Sequence, residues 1–391
     1  MKDIVIVGAA RTPIGEFGGS LRDVPVVSLG ITAINAAVER AGIEKQMIDQ
    51  VIMGNCFDPA DTNVTRITAV KAGIPIEAPA YTIIGTCGSG MQAIISGIHS
   101  IREGDADIVV AGGFESMSTA PYLLTSTRWG QRLNHSYAVD LLWRAMHEHP
   151  IGGGMGMTAE NLAERYGITR EEQDRFALSS QQRASKAVKD GRFKEEISPV
   201  VIPVKKGEPK VIDTDEYPKP NMTLEKLAQL QPAFKKDGTV TAGNACGIND
   251  AAAAVVLMTG QKATELGLKP LCRIVSDASV GVDPAYMGIG PVPASRKVLK
   301  RAGLSLDDIE LFEINEAFAA QFLSCERELG LNREIVNVNG SGISLGHPVG
   351  ATGTRLVVTL LYEMKKRGLK YGLASLCAGG GLGYALIIEN Y

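Results

Sequence analysis

One order of elements occurs twice along this chain, and that repetition limits its possible folds more than any single motif. Arg40-Ala41-Gly42 followed by Asp49-Gln50-Val51-Ile52-Met53-Gly54-Asn55 recurs as Arg301-Ala302-Gly303 followed by Asp308-Ile309-Glu310-Leu311-Phe312-Glu313-Ile314-Asn315-Glu316. The helix-period run 91–104 is matched by 355–368. A repeat this long is a duplicated unit rather than a solenoid. Strand-like apolar runs at 4–7, 50–53, 81–84 and 108–111 alternate with helix-period segments at 29–41, 65–71 and 91–104. Such alternation predicts an α/β fold with a largely parallel sheet.

The copies differ in one respect. After Leu376-Cys377 the second copy runs directly into the apolar stretch 383–389, whereas the first breaks after Gly113 and resumes at 251–258. The intervening residues read as an insertion. It contains a capping box, Thr169 with Glu172 three residues on, opening a helix that ends near Gly191. It also carries a proline-rich polar stretch, 205–219, and the pairs Lys205-Lys206 and Lys235-Lys236. A ligand lying across the duplicated core and a solvated loop domain both fit this texture. The division that follows is 1–118 with 250–261 as one half, 119–249 as the insertion and 262–391 as the other half.

Hydrophobic residues at 45% and a net charge of −3 fit a globular chain and argue against binding to nucleic acid or a membrane surface. No run of about 18 apolar residues predicts a transmembrane helix. Asp3-Ile4-Val5-Ile6-Val7-Gly8 reads as a buried strand rather than a signal peptide. The six cysteines are scattered without a CxxC pair, which argues against structural zinc and for a reducing, cytoplasmic setting.

Chemistry-bearing residues sit in glycine-rich loops. The stretch 337–355 holds Gly340, Gly342, Gly346, Gly350 and Gly353 around His347. Glycines this dense imply a turn or a close approach to something bound. By the repeat its counterpart is Gly85-Thr86-Cys87-Gly88-Ser89-Gly90. A thiol ahead of a helix meets orphan N–H groups and the positive dipole end, which favour a thiolate; a buried inert cysteine is the other reading. Cys377 follows a strand and precedes Ala378-Gly379-Gly380-Gly381-Leu382-Gly383, whose N–H groups are free to form an oxyanion hole. Asn315 also follows a strand, where an amide either positions a water or makes a turn. His147-Glu148-His149 lacks metal-ligand spacing and reads as a loop or surface feature; no metal site is expected.

Cys87-Gly-Ser-Gly90, Gly113-Phe-Glu-Ser-Met-Ser118, Thr158-Ala-Glu-Asn161, Thr241-Ala-Gly-Asn244, Asn315-Glu-Ala-Phe318, Gly346-His-Pro-Val-Gly350 and Cys377-Ala-Gly-Gly-Gly-Leu-Gly383 occur in one order. In that order and spacing the chain resembles the thiolase family over essentially its whole length. The resemblance implies two duplicated α/β halves with central mixed sheets, layered α-β-α-β-α, plus an inserted loop domain. It implies Claisen condensation of two acetyl-CoA to acetoacetyl-CoA, or thiolysis in reverse, with coenzyme A thioesters as substrates and no other cofactor. Cys87 would carry the acyl group, His347 would deprotonate it, and Cys377 would exchange a proton with the α-carbon. Asn315 would hold a water beside His347 at the enolate oxygen, and the N–H groups of Cys87 and Gly379 would form the other oxyanion hole. Met155 and Met287 would line the acyl pocket, with Cys246, Ala317 and Phe318 near the pantetheine, Lys219 near the nucleotide and Ala242 also binding the coenzyme. The family also implies a homodimer or homotetramer. Two positions depart from its acetoacetyl-CoA-specialised members: Gly154 stands where they often have histidine, and Cys246 where many have serine. These bear on chain-length preference and coenzyme A affinity, and Cys246 reads as a small packed residue. A longer-chain 3-oxoacyl-CoA thiolase, a catalytically silent coenzyme A-binding protein and a 3-oxoacyl synthase are the competing readings; the synthase pattern fits poorly at Asn315 and Cys377.

Overall fold

The structure is a computed structural model that describes residues 2–58 and 62–391. Its centre is a ten-stranded sheet in the order Leu311–Ile314, Tyr371–Ala378, Leu382–Asn390, Cys272–Gly281, Ile4–Arg11, Asn249–Thr259, Val109–Ser116, Gln50–Gly54 and Ala80–Ile83, with the short Gly15–Glu16 beside Asn249–Thr259. The order read outward from the middle is the same in both directions, as a duplication requires. In the second half the counterpart of Ala80–Ile83 is reduced to a single bridge between Phe312 and Val336. The halves join where Ile4, Val5 and Ile6 pair antiparallel with Ile274, Arg273 and Cys272.

The expected largely parallel sheet is mixed instead. Gln50–Gly54 runs parallel to both its neighbours, and Leu311–Ile314 runs parallel to Tyr371–Ala378. The other ladders are antiparallel. The reason is the connections: parallel neighbours need a crossover, usually a helix, whereas a hairpin returns antiparallel. Tyr371–Ala378 turns into Leu382–Asn390 through Gly380 and Gly381, at φ +87° and +84°, a left-handed backbone that suits glycine.

Five layers result. Val26–Ala41 and Val64–Lys71 cover one outer face, and Pro291–Ala302 with Ala319–Leu329 cover the other. Ser89–Glu103 and Val349–Arg367 pack against each other between the two half-sheets. The inner position explains why Val349–Arg367 is buried nearly all round until its last turn, where Lys365, Lys366 and Arg367 emerge. It also places the starts of the two inner helices, and so the Cys87 and His347 loops, at the middle of the molecule.

The insertion lies across this core. Its Arg170–Lys189 helix opens with the expected capping box, Thr169 with Glu172. Phe176 stacks on Phe322 at 4.4 Å, and Ser180 Oγ donates to Glu316 Oε2 at 2.6 Å. Arg11 of the first strand is fully buried between Glu196 and Asp215, and a buried guanidinium needs such partners. The insertion is thus anchored to both halves.

Candidate active site

Cys87, His347 and Gly379 line one cavity of about 310 Å³, together with Met155, Cys246, Met287, Ala317 and Phe318. Asn315, two residues before Ala317, and Cys377, two residues before Gly379, are fully buried and do not reach this surface. Cys377 packs in one apolar cluster with Met287, Ala317 and Phe318, and its ionisation is opposed by burial first and then by Cys87, Cys325 and Cys246. Two further predicted residues lie outside the lining. Lys219 ion-pairs with Glu16 at 2.9 Å and lies 5.2 Å from the centre of the Tyr217 ring. Ala242 is exposed on the loop that leads to Ala245 and Cys246.

His347 is fixed from two sides. Its N–H donates to Asn249 Oδ1 at 2.9 Å, and its Nδ1 lies 2.7 Å from Thr352 Oγ1. The Thr352 hydroxyl is 2.8 Å from the Pro348 carbonyl, which only accepts, so it spends its single proton there. Its oxygen is then left to accept from Nδ1–H. The lone pair therefore sits on Nε2, and Nε2 has no protein partner among the described residues although it is buried. Asn315 is in the same condition: neither its Oδ1 nor its Nδ2 has a partner among the described residues. Buried polar atoms are normally paired, so unpartnered ones beside a cavity point to a bound group or water.

Burial decides the protonation states. The His347 imidazole is pushed down to about 3, by desolvation first and by the Arg355 charge second. The Cys87 thiol is pushed up to about 11, again by desolvation, against a lowering pull from the amides of Gly379 and of Cys87 itself. Of the two readings of this thiol, the dipole effect that favours a thiolate is the weaker here. The N–H groups are aimed at the sulfur as expected, but two short dipoles do not offset removal from water. Cys377 is raised well above the usual thiol range for the same reason. The resting site holds two neutral thiols and a neutral imidazole.

His149 stands on a loop, as expected, and also lines the cavity, with its Nδ1 2.7 Å from the Ile151 carbonyl. His147 stacks on Trp143 at 3.6 Å and leans on Phe234, another cavity residue. Cys246 is half-buried on the lining, and burial drives its thiol far up, as suits a packing residue. Sequence reasoning missed the positioning partners Thr352 and Asn249. Thr352 carried one available signal, a hydroxyl within one helical turn or so of a histidine at a helix start; Asn249 carried none.

Two profiles of one family cover the chain: the thiolase N-terminal domain over residues 4–261 and the thiolase C-terminal domain over residues 268–390. This chain belongs to the thiolase family. An acetyl-CoA acetyltransferase of Syntrophomonas wolfei is 52% identical, over 99% of each chain. The crystal structure of the Bacillus anthracis acetyl-CoA acetyltransferase superposes with a TM-score of 0.97 at 51% identity, over 100% of this thiolase and 99% of that chain. Human mitochondrial 3-ketoacyl-CoA thiolase in complex with CoA superposes with a TM-score of 0.95 at 44% identity, over 100% and 98%.

Proposed function

We propose that this thiolase is an acetyl-CoA C-acetyltransferase that interconverts two acetyl-CoA with acetoacetyl-CoA and CoA through an acyl thioester on Cys87. The observation that carries the reading is that Cys87 and a His347 with a free Nε2 line one apolar cavity, with the Gly379 N–H at the thiol. Relatives named acetyl-CoA acetyltransferase, about half identical over their full length, support it.

In the thiolytic direction Cys87 gives its proton to His347 Nε2 as its sulfur attacks the 3-oxo carbon. The bond between carbons 2 and 3 breaks, and its electron pair leaves as the enolate of acetyl-CoA. Asn315, through a water, and His347 hold the enolate oxygen, and the neutral Cys377 thiol protonates the carbon. Incoming CoA gives its proton to the Cys377 thiolate and attacks the thioester. Cys87 leaves as a thiolate and recovers its proton from His347. Condensation is the same path reversed. The raised thiol and depressed imidazole suit proton transfer coupled to attack, because no charged pair has to persist in the resting site.

Met155, Met287, Ala317, Phe318 and Cys246 are assigned to the acyl and pantetheine contacts, and Ala242 and Lys219 to the outer end of the coenzyme. The segment division 1–118 with 250–261, 119–249 and 262–391 belongs to the same reading. So does a homodimer or homotetramer: Ile76, Tyr81 and Ile84 are exposed at the Ala80–Ile83 sheet edge, and Trp129, Leu133 and Tyr137 on the insertion. Light scattering checks the assembly. Six free cysteines fit a cytoplasmic setting.

A longer-chain 3-ketoacyl-CoA thiolase is the second reading, favoured by the apolar Phe57, Leu141, Met146 and Ile248 on the cavity wall. Steady-state thiolysis across a series from four to sixteen carbons separates the two. Faster turnover on the ten-carbon substrate than on acetoacetyl-CoA overturns the leading assignment.

A further inference from the structure

Glu115 is a fully buried carboxylate that the reaction outlined above does not use. Two separate segments, 55–57 and the start of the Val349–Arg367 helix, donate to it. Phe57 N–H reaches Oε1 at 3.0 Å, with Asn55 Nδ2 at 3.2 Å; Cys56 N–H reaches Oε2 at 3.0 Å, and Gly350 N–H reaches Oε2 at 2.9 Å. Cys56 and Phe57 line the cavity, and Gly350 closes the Gly346-His347-Pro348-Val349-Gly350 loop at the start of its helix. A Cβ on Gly350 would stand 2.8 Å from Glu115 Oε2 and 3.0 Å from the Gly54 carbonyl, so the loop is seated directly on the carboxylate.

The duplication shows what this carboxylate replaces. Gly54 pairs with Gly113 in one half and Ile314 with Ser375 in the other, so the residues that follow, Asn55 and Asn315, are counterparts. Two residues beyond Gly113 is Glu115, and two beyond Ser375 is Cys377. In the second half that pair is Asn315 with Cys377, and the amide is unpartnered among the described residues. In the first half it is Asn55 with Glu115, tied to each other and to three backbone N–H groups.

We propose that Glu115 is a positioning residue, the non-reacting counterpart of Cys377, which sets the His347 loop and the Cys56–Phe57 wall in register with Cys87. This rests on the acyl-transfer reading given above. A carboxylate is suited to the task because every lone pair facing these segments accepts, and charge-assisted bonds to N–H groups are the stronger kind. Protonation would turn one acceptor into a donor facing donors. The titratable groups around it are Cys56 and Asp58 on one loop, Cys87 ahead of its helix, and His347 on the loop that ends at Gly350. Burial lifts the Glu115 carboxyl to about 7 against the pull of the Phe57, Gly350 and Cys56 amides, which puts its protonation in an accessible range.

The test is the rate of Cys87 acetylation by acetyl-CoA, followed by rapid quench and intact-mass spectrometry between pH 5.5 and 9. Parent enzyme should acylate faster as pH rises through about 7. Glu115→Gln keeps the shape, but turns an NH₂ group toward the N–H donors. It should acylate about a hundredfold more slowly at pH 8, the scale of loss expected when catalytic groups are misplaced by an ångström, and without the rise near neutrality. Asn55→Ala, which removes one donor and leaves the charge, should slow acylation less and move the rise to higher pH; it decides the matter if Glu115→Gln does not fold. A folded Glu115→Gln with the parent rate and pH profile overturns the proposal, as does an Asn55→Ala indistinguishable from the parent. Parent enzyme that takes no acetyl group at all overturns the acyl-transfer reading instead.

Discussion

Replacing Thr352 with valine tests the assignment of Nε2 as the free base of His347. The side chains share one branched shape, so the space at the fully buried Thr352 stays filled and only the hydroxyl's hydrogen bonds are removed. What is lost is the acceptor 2.7 Å from Nδ1. In the parent the Nδ1–H tautomer is held because the Pro348 carbonyl occupies the hydroxyl proton. In Thr352→Val that tautomer buries an unpaired N–H, and the proton moves to Nε2, which removes the free base from the cavity that Cys87 also lines. Leaving a buried donor unsatisfied costs about 1–3 kcal/mol, so the competent tautomer and the acylation rate should fall roughly 5- to 150-fold. Thr352→Ser restores the acceptor and should acylate at close to the parent rate. The assay is single-turnover acetylation of Cys87, with ¹⁵N spectra of labelled histidine reporting the tautomer. A folded valine variant that acylates as fast as the parent, or a parent spectrum showing the proton on Nε2, refutes the reasoning.

Three further outcomes are expected. Cys87→Ala should take no acetyl group, whereas Cys377→Ala should still be acetylated on Cys87 yet fail to make or break the carbon–carbon bond; equal loss of acylation in both would remove the proposed division of labour. The folded His347 imidazole stays neutral to about 3 while the unfolded one titrates near 6.5, so its contribution to stability is complete above 6.5 and lost as pH falls toward 3. At pH 5 that loss is about 2 kcal/mol, and His347→Gln should lose less urea resistance than the parent between pH 7.5 and pH 5; an equal loss contradicts the assignment. A Cβ on Gly154 would stand 2.9 Å from the Met146 and His147 carbonyls, so Gly154→Ala should shift the Leu141–His147 wall and raise turnover on long relative to short 3-oxoacyl-CoA by several-fold, since a methylene's fit in an apolar pocket is worth about 1–3 kcal/mol. An unchanged ratio in the chain-length series would show that this wall does not set specificity.

The amino-acid order alone carried the architecture a long way. The repeated Arg-Ala-Gly and helix-period segments became two half-sheets with one strand order, and the segments matched at 91–104 and 355–368 became the two inner helices, Ser89–Glu103 and Val349–Arg367. Local signals suffice there, because periodicity and caps are properties of neighbouring residues. They also picked out Cys87, His347 and Gly379, which meet on one cavity, and Asn315 and Cys377, which are fully buried two residues from the lining positions Ala317 and Gly379. Strand direction was less legible: a helix between strands signals a crossover, but nothing local announces that the strand after the insertion returns antiparallel.

Only the tertiary structure decided the chemical state of those residues. A thiol at a helix start reads as acidic when its own dipoles are all that is in view, yet Cys87 lies in an enclosure completed by Gly379, nearly three hundred residues away, and desolvation prevails. The free nitrogen of His347 depends on one hydroxyl and one carbonyl, and the seating of its loop depends on Glu115 from the other half. Protonation, tautomer and register are set by what the fold brings within a few ångströms. A linear pattern records which groups are available and leaves to packing the question of which of them lose their water.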